Sequence, residues 1–161
     1  MKIILDGMGG DNAPASVVEG AVLASKEMEH EIVLIGQQEL IEKELKKYKY
    51  DEKKISIVDA REVITNDEAP VRAVRSKKDS SIVKGINMVK SGEGDIFISA
   101  GSTGALLSGG LFILGRIQGI DRPALASVYP IIGGRASLLV DAGANSECKP
   151  NNLLEFGIMG N

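Results

Sequence analysis

Tryptophan is absent from the chain, and only three tyrosines and three phenylalanines are present. So thin an aromatic content argues against a surface built to stack single-stranded bases. Cysteine and histidine occur once each, as Cys148 and His30. One cysteine cannot form an intramolecular disulfide framework, and that pair alone cannot assemble a metal cluster. Positive charge does not dominate: 19 Lys and Arg face 22 Asp and Glu, for a net charge of −3. A global basic field for nucleic acid is therefore lacking. Long apolar runs are missing as well. The opening stretch Met1-Lys2-Ile3-Ile4-Leu5 is cut off by Asp6, too short for a signal-peptide core or a membrane span. These absences predict a soluble, cytoplasmic chain that binds no nucleic acid.

What remains is ordinary for a globular protein, with 43% hydrophobic and 25% charged residues. A length of 161 residues suits one domain, 1–161, able to bury a substantial core. The 19 glycines are not spread as in a linker. They cluster after apolar runs, where a chain turns tightly or lets a ligand approach its backbone.

Those runs alternate with helical periodicity. Residues 2–5 read as a buried strand, followed by a glycine-rich loop and a helix to about residue 29 with Val17, Val18, Ala21, Val22 and Ala24 on its apolar face. Pro14 fits the first helical turn. Ser16 and Glu19 have capping-box spacing, with Asn12 as a rival N-cap. Residues 32–35 are a second strand, and 37–47 an amphipathic helix with Leu40, Ile41 and Leu45 inward. A third strand spans 55–58. Pro70 opens a short helix over 70–77, and Asp79 caps another with Ile82, Val83, Ile86 and Val89 inward. A fourth strand, 95–99, leads through Gly101-Ser102-Thr103-Gly104 into an apolar helix to about residue 115. Strands are expected over 123–129 and 136–140, and Pro150 opens a last helix. Alternating strands and helices predict an α/β fold, a parallel sheet covered on both faces with right-handed crossovers. Ligands of such sheets bind beyond the carboxyl ends of the strands.

Three loops repeat one pattern of apolar strand, small and polar residues, then helix: Asp6 to Asn12, Ser99 to Gly104, and Asp141 to Asn145. Parallel strands would place all three on one sheet edge. The middle loop could present backbone N–H groups and the Ser102 and Thr103 hydroxyls to a phosphate. It is neither a Walker P-loop nor a dinucleotide fingerprint, and its alternative reading is a tight turn that merely needs glycine. Asp6 and Asp11 could orient a basic group, hold the loop or act as a base; equally, Asp6 ends a strand and Asp11 or Asn12 caps a helix. Asp141 and Asn145 permit the same pair of readings.

Arg72, Arg75 and Lys78 are spaced three apart and would share a helix face, with Lys77 extending the patch. Such a patch could hold phosphate or the acidic surface of a partner protein, or be a solvated face. His30 reads as exposed and inert. Cys148 has no histidine near it in sequence to act as a base, which argues against a catalytic thiol.

Taken together, several stretches resemble the PlsX family, the acyl-ACP:phosphate acyltransferases of bacterial phospholipid synthesis. They are Asp6-Gly7-Met8-Gly9-Gly10-Asp11-Asn12-Ala13-Pro14, the basic segment from Pro70 to Ser81, and Ser99-Ala100-Gly101-Ser102-Thr103-Gly104-Ala105-Leu106. The stretch from Gly115 to Ala124 matches too, as does Asp141-Ala142-Gly143-Ala144-Asn145 with Cys148-Lys149-Pro150. The resemblance covers the whole chain and corresponds to the N-terminal half of the family's length.

It implies a three-layer, Rossmann-like α/β fold similar to phosphotransacetylases and to the isocitrate dehydrogenase type. The implied activity is transfer of a fatty acyl group from acyl carrier protein to inorganic phosphate. A thiolate leaves readily, so neither metal nor cofactor is required. Asp6, Asp11, Arg75 and Lys78 are the residues expected to serve the chemistry, with Arg72, Arg75 and Lys78 either holding the anion or docking the carrier. Gly9, Gly10, Asn12, Arg72, Ser99, Gly101, Ser102, Thr103, Asp141 and Asn145 would bind substrate. The family resemblance also implies a homodimer and loose membrane association. It leaves an alternative, a half-length chain that keeps the fold and binds phosphate or carrier without turnover; an acetyl-type phosphotransacetylase is a third reading.

Overall fold

Four apolar runs become parallel strands: β1 (Lys2–Asp6), β2 (Glu31–Gly36), β3 (Ile55–Asp59) and β4 (Ile96–Ile98). They lie in the order β3-β2-β1-β4. Ile4 pairs with Val33 on one side and Phe97 on the other. The computed structural model describes residues 1–145 and 147–161. The chain divides into two compact units, residues 1–114 and 115–161, and the sheet belongs to the first.

Alternation along each strand decides which layer it supports. Ile32 and Leu34 of β2, with Ile55 of β3, pack against α1 (Ala15–Glu27) and α2 (Gln38–Leu45) through Val18, Ala21, Val22, Ile41 and Leu45. Val33 and Ile35 face the other way with Ile4, and Met88 and Val89 of α4 (Ser81–Lys90) pack there. Helices therefore cover both faces, the three-layer α/β arrangement expected. Each fully buried Ile or Val contributes roughly 1.5–3 kcal/mol relative to exposure. A third cluster joins α3 (Pro70–Ser76), α4 and α5 (Thr103–Gly109) through Ala73, Val74, Ile82, Val83, Ile86 and Ala105. A π-helical turn, Gly110–Leu114, prolongs α5.

Several local expectations are corrected. Leu40 is exposed while Ile41 and Leu45 are buried, because α2 is a short helix whose apolar stripe is only two residues wide. No capping box forms on α1: Pro14 is the N-cap, and the Ser16 hydroxyl donates back to the Asn12 carbonyl at 3.2 Å. Ser80, not Asp79, caps α4, its oxygen accepting the Val83 N–H. Asp79 instead pairs with Lys84 and accepts the Arg61 N–H.

The second unit holds β5 (Ala126–Ile131), β6 (Arg135–Val140) and α6 (Pro150–Met159). β5 and β6 form an antiparallel hairpin in a sheet of their own. The expectation that the third loop follows a further strand of the parallel sheet therefore fails. The hairpin is closed by Gly133 and Gly134, both at positive φ (95° and 74°), conformations that glycine adopts without a steric cost. Phe156 of α6 is buried, whereas Val128, Tyr129, Leu138 and Leu139 are exposed. Among the described residues no helix is long and apolar enough to cross a membrane.

Candidate functional site

Asp6 ends β1 at the carboxyl edge of the sheet and is 1% exposed. A carboxylate so placed needs hydrogen-bond donors, and two are supplied. Oδ1 accepts the Met8 N–H at 3.0 Å, and Oδ2 accepts the Ser99 hydroxyl at 2.7 Å. The Ser99 oxygen in turn accepts the Gly101 N–H at 3.0 Å. One buried carboxylate thus organises the loops after β1 and β4 together.

Glycine is what lets the two loops meet. A Cβ on Gly9 would stand 2.6 Å from Asp6 Oδ2 and 2.8 Å from the Gly101 nitrogen. Gly10 sits at φ +100° against Ala100. Asp11 and Asn12 are exposed on the same loop, and neither side chain caps α1.

Ser102 caps α5, its oxygen accepting the Ala105 N–H; the side chain is buried and Thr103 exposed. The N–H groups of Thr103 and Gly104 have no acceptor among the described residues, as expected for the opening turn of a helix. A Cβ on Gly104 would stand 2.7 Å from Pro70 Cγ, so α3 begins directly beside this loop.

On α3, Ala73 and Val74 point inward while Val71, Arg72 and Arg75 are exposed. The helix ends at Ser76, so Lys78 lies beyond it; its Nζ donates to the Val74 carbonyl at 3.2 Å. The Arg75 guanidinium stands over the Phe112 ring, 5.4 Å from its centroid. Lys77 does not extend the patch. It turns inward, donating to Glu68 and to the Val63 carbonyl, both at 2.7 Å. That hydrogen bond from Lys77, with the Thr65 N–H, holds the Glu68 carboxyl below its ordinary pKa. Lys84 lowers Asp79 in the same way, with the Arg61 N–H adding to it. The nearby carboxylates are thus committed to Lys77 and Lys84, and no ion pair to Arg72, Arg75 or Lys78 occurs among the described residues.

In the second unit, Asp141 adopts φ +66°, rare for a residue with a side chain. Its Oδ1 accepts from Asn145 Nδ2 at 3.1 Å, and the same amide donates to the Pro123 carbonyl. Asn145 therefore ties the loop after β6 to the strand entry before β5. Cys148 is exposed, with Sγ 3.8 Å from Asp141 Oδ2.

The exposed Phe112 has no distinguishing signal in the sequence, because one aromatic in an apolar helix reads as core. The structure also shows an open groove lined by Val58, Lys84, Asn87 and Met88. None of the expected site residues lines it, and Lys84 is already bound to the Asp59 carbonyl and Asp79. No group of three or more His, Cys, Asp or Glu placed to hold a metal ion occurs among the described residues.

Comparison with known proteins sets this geometry in a family. Residues 1–161 match the family described as fatty acid synthesis protein. A phosphate acyltransferase of Clostridioides difficile (strain 630) is 55% identical over 161 residues, covering 100% of this chain and 47% of the relative. One from Alkaliphilus oremlandii (strain OhILAs) is 59% identical over 160 residues, covering 99% and 48%. The chain thus spans about half the length of these relatives. In fold it is similar to a phosphotransacetylase from Streptococcus pyogenes, with TM-score 0.69 and 21% identity over 98% of this chain and 51% of that one.

Proposed function

The chain belongs to the fatty acid synthesis protein family, and from that membership we propose that it serves transfer of a fatty acyl group from acyl carrier protein to inorganic phosphate. The product would be acyl-phosphate for phospholipid synthesis. The observation that carries this reading is the contact between the β1 and β4 loops, organised by Asp6 through Ser99 and Gly101. It lies at the carboxyl edge of a parallel sheet, where α/β folds bind ligands.

In this reading a phosphate oxygen attacks the thioester carbonyl, a C–O bond forms, the C–S bond breaks and the carrier thiolate leaves to be protonated. Holding and aiming the two reactants supplies much of the rate. Gly9, Gly10 and Gly101 let the backbone approach the phosphate, the Thr103 and Gly104 N–H groups and the Thr103 hydroxyl would bind it, and Ser102 would hold that turn in place by capping α5. Donors placed where the oxyanion develops lower the barrier. Asp6 positions Ser99 and the β4 loop, Asp11 and Asn12 line the mouth, and Arg72, Arg75 and Lys78 supply positive potential at the rim. In the second unit, Asp141 and Asn145 are the residues proposed to contact substrate. A homodimer acting in the cytoplasm, with loose membrane association, belongs to the same proposal.

A second reading has its own support. Ile96 and Ile98 of the sheet-edge strand β4 are exposed. Under it, the chain binds phosphate or carrier without turnover. Incubating it with long-chain acyl-ACP and inorganic phosphate, and following acyl-phosphate and free carrier thiol, tests both. Phosphate-dependent turnover supports the first. Binding without turnover supports the second, as does turnover that appears only on adding the remaining half of a relative. Neither binding nor turnover removes both.

A further inference from the structure

The exposed face of α3 combines cations and apolar groups in a way that the phosphate site does not use. Val71, Arg72 and Arg75 share that face, with Lys78 just past the helix end. Phe112 and Leu114, both 51% exposed, are carried by the π-helical turn, and Arg75 stands over the Phe112 ring. Val71 is 42% exposed. Arg75 thus joins the exposed face of α3 to an exposed aromatic ring.

A solvated helix face normally mixes signs. Here no ion pair to Arg72, Arg75 or Lys78 occurs among the described residues, and Glu68 and Asp79 are paired with Lys77 and Lys84. Stacking over Phe112 orders the Arg75 guanidinium, which lowers the entropy lost when it binds an acceptor. Inorganic phosphate gains nothing from apolar neighbours. A protein surface carrying carboxylates around an apolar spot would use both features.

On the reading above, the acyl group arrives on a carrier protein, and on that basis we infer that Val71, Arg72, Arg75, Lys78 and Phe112 form the docking surface for an acidic face of that carrier. The cations steer and hold the carboxylates, and Phe112 fills an apolar depression between them. Pro70 abuts Gly104, so a carrier seated here stands beside the β4 loop, where its thioester must be delivered. The role of Arg75 and Lys78 is then docking rather than contact with the reacting phosphate.

The test is binding of acyl carrier protein to the 161-residue chain, read by fluorescence anisotropy at low and high salt, beside inorganic phosphate binding read by phosphorus NMR. The double charge reversal Arg72→Glu with Arg75→Glu is expected to weaken carrier binding about tenfold or more and flatten its salt dependence. Phosphate binding, which these cations aid only through the potential at the rim, should weaken less than carrier binding in the same protein. Phe112→Ala should weaken carrier binding at high salt as well as low. The milder Arg72→Gln with Arg75→Gln, whose melting should match wild type, guards against a folding defect and should lie between the two. Unchanged carrier affinity in the charge reversal would overturn the inference, as would absence of carrier binding to wild type at low salt. So would binding to phosphatidylglycerol vesicles that depends on these residues while carrier binding does not. Carrier binding through α3 without phosphate-dependent acyl transfer would leave the docking surface standing and remove the acyltransferase reading instead.

Discussion

Asp6 and Ser99 lie 93 residues apart and are joined by a 2.7 Å hydrogen bond from the serine hydroxyl to a buried carboxylate oxygen. This bond closes the two loops on one another. Removing either partner strands the other, and an unsatisfied buried polar group costs about 1–3 kcal/mol, more when charged. Asp6→Ala should therefore lower the melting temperature and abolish phosphate binding. Asp6→Asn should do less, since an amide can still accept from Met8 and donate to Ser99. Thermal melts with a phosphate titration decide it; an Asp6→Ala protein as stable and as phosphate-competent as wild type would refute the role.

Two glycines of the first unit should respond oppositely to alanine. At Gly9 the new methyl would collide with the Asp6 carboxylate and the Gly101 nitrogen. Forcing it in should cost about 1–3 kcal/mol and open the loop pair. At Gly20, inside α1, a Cβ meets nothing within 4 Å. Gly20→Ala should stabilise by up to about 1 kcal/mol through helix propensity. Denaturant unfolding of both variants checks the contrast, and equal destabilisation would contradict it.

That the β1 and β4 loops share one sheet edge was legible because an apolar run ending in Asp or Ser before glycines marks a strand entering a turn; the bond that joins Asp6 to Ser99 was not. Arg72 and Arg75 were legible from helical spacing. Lys77 was not: it sits at the C-cap of α3, where helical periodicity stops assigning faces, and only the folded chain brings Glu68 to it. The parallel sheet of the first unit followed from alternation with helices, whereas the β5–β6 pairing did not. Gly133-Gly134 between two apolar runs is a hairpin signal, whereas the surrounding α/β rhythm favours a further parallel strand. Phe112 could not be told from core by sequence, since exposure of a helix face depends on what packs beside it.

The Lys77–Glu68 tie sets a pH dependence. The folded-state pKa of Glu68 is lowered, chiefly by the hydrogen bond from Lys77. Its stabilisation is therefore complete above the ordinary glutamate value, about 4.3, and is lost as pH falls through the lower folded value. Glu68→Gln should melt below wild type at neutral pH, and the gap should close in acid. Thermal melts across that window test this, and a gap that widens in acid would show the sign to be wrong.

Gly104 links packing to function. Its missing side chain lets Pro70 lie against the start of α5, and a methyl there would stand 2.7 Å from Pro70 Cγ and 3.2 Å from its Cβ. A proline ring at a helix start cannot swing aside, so Gly104→Ala must move α3 away from the β4 loop or strain both. Overpacking of this kind costs about 1–3 kcal/mol. The displacement should carry Arg72 and Arg75 with it, because Ala73 and Val74 fasten α3 to the same cluster as Ala105. Phosphate binding and carrier binding are thus expected to weaken together in Gly104→Ala, whereas charge reversal on α3 weakens chiefly the second. Measuring both affinities in one protein separates the cases: if Gly104→Ala alters neither while lowering stability, the packing of α3 on α5 supports the fold but not the site.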